Sequence, residues 1–449
     1  MVRAIIVNWN GGEHVLAAVA ALLATNWPSE RLSIVVVDNA SSDGSDEAIE
    51  RLFPTVEVRR TGKNLGFPGN NRAMADLSGI DYCALVNNDA FVAPDWLQPL
   101  AAALQGDQSL GAVSPKIVFA PRFVDISLQA PSFRAPGDTR ELAMQLHGIE
   151  VAGVDRWKLT RFAGGCYEQE GGHDPATRYR WLAGSVTLGV PLWQIPGPTA
   201  PARLLLSAPE PVEVTVASGI NGALRSSVTA AIGPTPTWVA CVADGQPYDV
   251  IQNAGSELFR GGFGGDRGFL QPDHGQFDSA EEVWAWCGGA VLLRSHYLQD
   301  IGLFDERFFM YYEDSDLAWR GRAKGWRYGY VPESVVRHLH ATSSVEGSPL
   351  FEHYVQRNRL VMLTKNAPAK MVADALASYM TTTAACAWQD VRSSLKRHRP
   401  PRLTQARRRL RSLLGYLRLV PALAADRRRL RGTQTVADAE LLRWMKALP

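Results

Sequence analysis

The sequence has few cysteines and lacks both a paired-cysteine motif and a long apolar run. Its five cysteines are scattered and form no CxxC pair, which excludes a zinc cluster or a disulfide framework and favours a reducing cytosol. No run of about 18 apolar residues is present, so no membrane-spanning helix is predicted. The chain passes from Met1 straight into a strand pattern, so no signal peptide is expected.

Net charge is also small, at +2 over 449 residues, and gives no whole-molecule field that would indicate nucleic acid. The balance hides an asymmetry, because residues 392–431 hold 14 Lys and Arg against Asp426 alone. This stretch therefore carries +13 and the remainder −11. Four leucines share one helical stripe among these arginines: Leu410, Leu413, Leu414 and Leu417.

Such a basic, amphipathic stretch predicts peripheral attachment to an anionic membrane surface through residues 392–431. An RNA-binding patch and a simply solvated helix are the alternatives. We expect a cytoplasmic protein on the inner face of the cell membrane, with no nucleic acid as a partner.

The length predicts two or three domains, and the pattern changes along the chain. Residues 1–120 alternate strand and helix patterns, as βαβ units do. Residues 121–248 are rich in proline, glycine and short β-branched runs and predict an inserted β-rich module, a small sandwich. Residues 249–365 return to an α/β pattern, and residues 366–449 form a basic helical region.

Polar residues follow two of the predicted strands of the first segment. Residues 32–37 lead to Asp38, and residues 82–86 lead to Asn87, Asn88 and Asp89. In open α/β sheets ligands bind at this edge. Asp38 suits a base or ribose contact, with helix capping as the alternative. The Asn-Asn-Asp run suits Mg²⁺ or Mn²⁺ on a diphosphate, with an ordinary turn as the alternative.

A loop rich in glycine and asparagine, residues 62–72, precedes a predicted helix. Its backbone can approach a ligand closely, and a helix amino terminus favours anions. It is not a GxGxxG loop and does not follow the first strand, so a dinucleotide fingerprint fits poorly. The alternative is a turn-rich connector.

The second α/β segment contains the adjacent acids Glu313 and Asp314 behind an aromatic run. A carboxylate in such surroundings has a raised pKa and can take a proton from a hydroxyl, and dipole capping is the alternative. His338 and His340 follow a strand pattern at residues 328–331 that ends at Pro332, and they suit a metal shell or a structural role. Arg357, in a Gln-Arg-Asn-Arg run, suits a phosphate clamp or a solvated helix face.

Taken in order, these motifs resemble the family 2 glycosyltransferases, and more narrowly the rhamnosyltransferase-like branch that builds bacterial cell-surface polysaccharides. The resemblance covers residues 1–120 and 249–368, about half the chain. The segments that carry it are Val7-Asn8-Trp9-Asn10-Gly11, Val37-Asp38-Asn39-Ala40-Ser41, residues 62–72, Asn87-Asn88-Asp89, Cys287-Gly288-Gly289-Ala290, residues 304–316 and residues 356–359.

The resemblance implies a GT-A fold, an inverting mechanism, a divalent metal, a nucleotide-sugar donor and a glycan or polyprenyl-linked acceptor. It implies Asp314 as the catalytic base, with Glu313 as the fallback, and metal contacts by Asp89 and His338. The donor-binding residues that it implies are Asn8, Asp38, Asn64, Asn70, Arg72, Asn88, Gly288, Gly289 and Arg357.

Two features depart from the family pattern. The metal motif keeps a single acid, Asp89, and residues 121–248 are an addition to the usual core. The insert is expected to shape the acceptor site or bind glycan, or to act as a spacer or oligomer contact. The leading expectation is a metal-dependent glycosyltransferase, and the alternative is a catalytically weak, glycan-binding scaffold of the same fold.

Overall fold

The computed structural model describes residues 1–162, 164–171, 177–195, 197–220, 223–339, 348–396 and 400–448. The chain divides into two compact units. The first comprises Met1–Val118, Ile251–Phe269 and His274–Pro449, and the second comprises Phe119–Val250 and Leu270–Asp273.

The first unit begins with strands and helices in alternation. In chain order they are β1 (Val2–Asn8), α1 (Gly12–Leu23), β2 (Leu32–Asp38), α2 (Ser45–Leu52), β3 (Glu57–Arg60), α3 (Asn71–Met74), β4 (Tyr82–Val86), β5 (Ala90–Val92), α4 (Leu97–Gly106) and β6 (Leu110–Phe119). Helix α1 forms because its apolar residues recur at helical spacing and reach the core on one face; these are Val15, Ala18, Val19 and Leu22.

The second unit is built of antiparallel strands: β7 (Phe123–Gln129), β8 (Met144–Val151), β9 (Val154–Asp155), β10 (Arg161–Phe162), β11 (Cys166–Glu170), β12 (Tyr179–Leu182), β13 (Ser185–Pro191), β14 (Thr199–Ser207), β15 (Val212–Ile220), β16 (Ala223–Ile232) and β17 (Thr237–Asp244). They form two sheets, ordered β10-β13-β7-β15-β16 and β11-β12-β8-β14-β17. Alternate residues of both sheets enter one apolar core, so the unit is a β-sandwich.

The chain then returns to the first unit. Its remaining elements are β18 (Ile251–Asn253), β19 (Ser256–Phe259), β20 (Phe263–Asp266), β21 (Glu281–Glu282), β22 (Ala290–Arg294), α5 (Ser295–Ile301), α6 (Glu313–Ala323), β23 (Arg327–His338), α7 (Pro349–Asn366), α8 (Ala369–Lys396), α9 (Thr404–Leu417), α10 (Val420–Thr433), α11 (Asp438–Leu442) and β24 (Met445–Lys446).

The large sheet of the first unit has the order β21-β23-β6-β22-β4-β1-β2-β3. Strands β1, β2, β3 and β4 are parallel, whereas β22 runs antiparallel to β4 and β6. The central strands are apolar over most of their length because helices cover parallel sheets on both faces. The strand order reverses between β1 and β4, which is where ligands bind in such sheets.

One strand differs from its sequence-based bounds. Residues 328–331 were predicted as a strand that ends before Pro332, whereas β23 continues to His338. Proline lacks the amide proton that a ladder needs. The strand accommodates it because its pairings with β21, through Gly329 and Tyr330, and with β5, from Val336 to His338, lie on either side of Pro332. Strand β18 pairs antiparallel with β6 through Ile251 and Val118, so the chain leaves and rejoins the first unit at neighbouring positions.

Helix α7 is the centre of the carboxyl-terminal helical region and packs against α9 and α10. Ser348 begins it as an amino-terminal cap, since its hydroxyl accepts from the amide of Phe351 at 3.2 Å. Among the described residues, no helix is long and apolar enough to cross a membrane. The predicted α/β fold with a β-rich insert and a helical basic carboxyl-terminal region is confirmed.

Candidate active site

A cavity of about 480 Å³ lies in the first unit at the carboxyl ends of β1 and β4. The polar side chains in its wall come from the strand ends, the β19–β20 hairpin and the start of α6. They are Asn39, Asn64, Asn87, Asn88, Asp89, Gln252, Ser256, Glu257, Asp266, Glu313, Asp314, Ser315 and His338. Five of them are acids, and no lysine or arginine is among the described residues of the wall. A bound diphosphate therefore needs a cation with it.

Asp89 and His338 meet on one side of this cavity. Asp89 follows β4 and His338 ends β23, and the His338 Nε2 lies 2.9 Å from the Asp89 Oδ1. The His338 Nδ1 lies 2.8 Å from the Gln252 Oε1. Because that oxygen only accepts, Nδ1 carries the proton, and Nε2 either donates to Asp89 or offers its lone pair to a cation.

This donor set was tested against the divalent metal that the resemblance implies. One carboxylate and one oriented imidazole suit Mn²⁺ or Mg²⁺ when the other ligands come from phosphate and water. No group of three metal-capable acids, histidines or cysteines occurs in the described part of the chain. The residues fit a metal that is held jointly with the diphosphate of a donor. His340 lies outside the described residues.

Glu313 and Asp314 open α6 on another part of the cavity wall. The Asp314 Oδ1 accepts from the Ser315 amide at 2.6 Å, and its Oδ2 accepts from the Gly288 amide at 3.4 Å. Burial raises the pKa of Asp314, an effect that the hydrogen bonds from Ser315 oppose and the charge of Asp266 reinforces.

Glu313 is more deeply buried, and its Oε2 has no hydrogen-bond partner among the described residues. Burial, and then the charge of Asp314, raise its pKa well above the ordinary 4.5. The pKa values of the two acids therefore differ, because Asp314 accepts hydrogen bonds from the amides of Ser315 and Gly288, whereas the Glu313 Oε2 has no hydrogen-bond partner among the described residues. Asp314 is the better candidate for the ionised base, and Glu313 is the better candidate for the neutral acid.

A strained loop positions these two acids. Phe309, Tyr311 and Tyr312 have left-handed backbone conformations, with φ of 65°, 66° and 69°, and bulky residues in this region cost about 1–3 kcal/mol each. The buried Asn358 Nδ2 lies 2.9, 2.7 and 2.9 Å from the carbonyl oxygens of Phe308, Met310 and Tyr311. Asn358 on α7 thus fixes the loop that leads into α6.

Gly66 supports the same loop from the other side. It has a φ of 67°, and an added Cβ would lie 1.9 Å from the carbonyl oxygen of Phe309. That oxygen accepts from the amide of Phe67 at 2.8 Å. The glycine in the predicted ligand loop is therefore needed for close packing of one backbone against another.

The structure brings eight of the predicted residues to the cavity and places five elsewhere. Those in the wall are Asn64, Asn88, Asp89, Gly288, Gly289, Asp314 and His338, with Glu313 beside Asp314. Gly288 and Gly289 join the two sides, because an added Cβ would lie 3.7 Å from the Asp314 Oδ2 at the first and 3.4 Å from the His338 ring at the second.

Asn8 and Asp38 are buried and hold elements together instead of facing the cavity. The Asn8 Nδ2 donates to the Asp38 Oδ1 at 3.0 Å and to the Ser45 Oγ at 2.9 Å. The Asp38 Oδ1 also accepts from the Ser41 Oγ at 2.6 Å. This network joins β1 and β2 to the loop that leads into α2. The cap position of α2 is Gly44, which makes no side-chain cap hydrogen bond, so the observed contacts of Asp38 fix this loop and do not cap the helix. A donor contact by either residue stays a prediction.

Asn70, Arg72 and Arg357 also lie outside the wall. The Asn70 Nδ2 donates to the carbonyl of Phe67 at 2.8 Å, within its own turn. Arg72 is half-exposed, 3.9 Å from Glu306. The Arg357 Nη2 donates to the carbonyls of Arg307 and Phe308 at 2.6 and 3.0 Å. In the structure Arg357 contacts the strained loop, and a phosphate contact by Arg357 stays a prediction.

Sequence reasoning missed the hairpin that closes the wall. Asp266 and Glu257, on β20 and β19, line the cavity, and Asp266 accepts from the Asn253 Nδ2 at 2.5 Å. Strand β24 pairs with β19, and the Tyr312 hydroxyl accepts from the Gly264 amide at 3.3 Å. The only local signal was the glycine-rich run before Asp266, which by itself indicates a turn.

Comparison with known proteins identifies the core. Residues 4–148 match the sequence model of the family described as Glycosyl transferase family 2. The chain carries a glycosyl transferase family 2 domain. The match begins in β1 and includes the strand ends with Asp38 and Asp89, whereas Asp314 and His338 lie beyond it.

The chain is also similar to named proteins and solved structures. The chain is 24% identical over 355 residues to N-acetylglucosaminyl-diphospho-decaprenol L-rhamnosyltransferase of Mycobacterium tuberculosis, covering 78% of this chain and 80% of that protein. The predicted resemblance to the rhamnosyltransferase-like branch is confirmed. Similar solved structures include GalNAc-T7 with UDP, GalNAc and Mn²⁺, at 12% identity and a TM-score of 0.43, covering 81% of this chain and 48% of that chain.

A second is the mannosyltransferase PcManGT from Pyrobaculum calidifontis with GDP-Man and Mn²⁺, at 14% identity and a TM-score of 0.38, covering 93% of this chain and 86% of that chain.

Proposed function

We propose that the protein is an inverting, metal-dependent glycosyltransferase that moves a sugar from a nucleotide-sugar donor to a polyprenyl-linked or glycan acceptor in cell-surface polysaccharide synthesis. The observation that carries this proposal is the shared cavity. It places the Asp89–His338 pair and the Asp314 carboxylate on the two sides of Gly288 and Gly289. The arrangement supplies a place for a diphosphate and, across from it, a base for an acceptor hydroxyl.

The donor is proposed to lie with its diphosphate at Asp89 and His338. Asn64 and Asn88 in the wall offer amide groups to the nucleotide. A divalent metal, when bound there, neutralises the charge that gathers on the departing diphosphate. The acids of the wall make this cation necessary, because the described wall has no arginine or lysine to take its place.

Asp314 is proposed to remove the proton from the acceptor hydroxyl. The acceptor oxygen then forms a bond to the anomeric carbon while the bond from that carbon to the diphosphate oxygen breaks on the opposite face. The proton goes to the Asp314 carboxylate, and the electron pair leaves with the nucleoside diphosphate. Gly288 and Ser315 orient the carboxylate through their amides, and the neutral Glu313 keeps the surrounding charge low.

Rhamnose is the first candidate for the transferred sugar. The relative in Mycobacterium tuberculosis, whose name specifies L-rhamnose and a decaprenol-linked acceptor, aligns with most of this chain. The cavity also has an apolar side made by Phe67, Met310, Tyr311 and Phe351, which suits the methyl group of a 6-deoxy sugar. An acceptor with a polyprenyl chain would place the protein at the cytoplasmic membrane surface.

The test is a donor panel with the purified protein. Nucleotide-activated L-rhamnose, N-acetylglucosamine, galactose and mannose are compared by thermal shift and by product formation, with Mn²⁺, with Mg²⁺ and with a chelator. We expect one donor to raise the melting temperature only with metal and the product to have an inverted anomeric configuration by NMR. Transfer that is undiminished by chelation, or retention of configuration, contradicts the proposal.

A further inference from the structure

The outer face of α9 carries three leucines that are about half-exposed in the part of the chain that the structure describes. Leu410, Leu414 and Leu417 are 45%, 56% and 50% exposed, and their spacing of four and three residues places them on one face of the helix. Ser412 and Tyr416, which are buried, lie on another face of α9. A contiguous apolar stripe of this kind on a stable protein indicates a contact surface.

Arginines border this stripe. Arg407, Arg411 and Arg418 are exposed, and none of them forms an ion pair with a residue that the structure describes. Arg408, on the inner side of the same helix, does pair with Glu352. Helix α9 contains no aspartate or glutamate, so the charge of its outer face is uniformly positive.

Helix α7 connects this face to the cavity. On the inner side of α9, an added Cβ at Gly415 would lie 3.3 Å from the ring of His353, and the Ser412 hydroxyl lies 3.2 Å from the His353 Nδ1. Phe351 and Val355, on the same helix as His353, line the cavity. The leucine stripe is therefore one helix away from the cavity rim.

We propose that this surface, which we call the α9 face and define as Arg407, Leu410, Arg411, Leu414, Leu417 and Arg418, docks the protein on an anionic lipid bilayer. The leucines enter the headgroup boundary and the arginines bind lipid phosphates. Charge complementarity selects this occupant, because a second copy of the same face would bring like charges together. The inference rests on the proposed function, because docking would hold the cavity rim close to a lipid-linked acceptor.

The experiment is flotation of the full chain with vesicles of phosphatidylcholine, with and without phosphatidylglycerol. We expect flotation only with the acidic lipid and a decrease with added salt. Replacing each arginine of the α9 face by glutamine should weaken binding about fivefold, or about 100-fold for all three. The triple variant Leu410→Ser, Leu414→Ser, Leu417→Ser should also lose flotation.

The matched control carries Leu23→Ser and Leu52→Ser, which alter leucines that are 43% and 54% exposed on α1 and α2. It should float like the parent, and melting temperatures should be equal for all variants because every altered side chain faces water. Equal flotation of parent and α9 variants, or no flotation of the parent on acidic vesicles, overturns the docking proposal.

The α9 variants should keep transfer to a water-soluble, short-chain acceptor. A protein that floats but transfers no sugar retains the docking face and loses the proposed function. A protein that transfers sugar to the soluble acceptor and does not float retains the function and loses the docking face.

Discussion

Replacing Asn358 by alanine should disable the catalytic loop without touching a substrate contact. The carboxamide of Asn358 is fully buried and holds the carbonyls of Phe308, Met310 and Tyr311, in a loop with three left-handed, bulky residues. Alanine removes both amide protons and leaves these buried acceptors without that donor. The loop can then relax its backbone, and Asp314 at the start of α6 follows it.

The magnitude follows from the two amide protons. Each buried acceptor left without a donor lowers the unfolding free energy by about 1–3 kcal/mol. Relief of backbone strain, about 1–3 kcal/mol for each left-handed residue, offsets part of that loss. We expect a loss of about 2–4 kcal/mol of unfolding free energy. A shift of about 1 Å in a reacting group costs about 100-fold in rate, so kcat should fall by about that factor while KM for the donor changes little.

The assays are urea unfolding and steady-state kinetics at saturating metal. The matched control is Asn71→Ala, since Asn71 binds the backbone of Phe304 on both its nitrogen and its oxygen, at 2.9 and 3.1 Å, and does not touch the left-handed residues. It should lose stability without the loss of kcat. If Asn358→Ala is destabilised but keeps a kcat within about threefold of the parent, the strained loop does not position Asp314.

Three further changes test the site. Asp314→Asn should lower turnover by about 10²–10⁴-fold, as loss of a general base does, while donor-induced thermal shifts persist. Gln252→Ala should raise the Mn²⁺ concentration for half-maximal activity by about 10–100-fold, since Gln252 orients His338. Glu313→Gln should stabilise the fold at pH about 8 and not at pH about 4, measured by urea unfolding. The folded state holds the Glu313 proton more tightly than the unfolded chain, so the stability that this group contributes is present below its unfolded pKa and is lost as the pH rises through the raised one.

Each of these has a contradicting result. Full turnover of Asp314→Asn would assign the base to another group. An unchanged Mn²⁺ dependence in Gln252→Ala would separate His338 from the metal. A Glu313→Gln variant that is less stable than the parent at the higher pH would mean that Glu313 has a partner for its charge in the folded state.

Much of the fold was readable from the sequence because the first strands and helices carry strong local patterns. The apolar runs that end at Asp38 and at Asn87 are strands with polar residues at one sheet edge, as predicted. The adjacency of Asp89 and His338, however, joins residues that are 249 positions apart. No local pattern encodes such a contact, and only the family resemblance anticipated it.

The predicted donor-binding residues that lie outside the cavity wall, such as Asp38 and Arg357, show the limit of local sequence patterns. A carboxylate at a strand end can face a ligand or cap the next helix. The local sequence around Asp38 is compatible with both roles and does not distinguish them. The observed contacts of Asp38 are with Asn8, at the end of β1, and with Ser41, in the loop after β2. The contacts of Arg357 could not be predicted from the sequence, because Arg357 donates to backbone carbonyls of the strained loop. Such carbonyls have no signature in the sequence of side chains, so the phosphate contact was the only interpretation that the local pattern offered.

The antiparallel pairing of β6 with β18 has a consequence for how the chain can be re-engineered. Val118 and Ile251 are partners in that pairing, so excising the sandwich leaves two strand ends that a tight hairpin turn could splice. The large sheet keeps its strand order through such a deletion. The insert can thus be exchanged for another module without a change in the strand order of the large sheet.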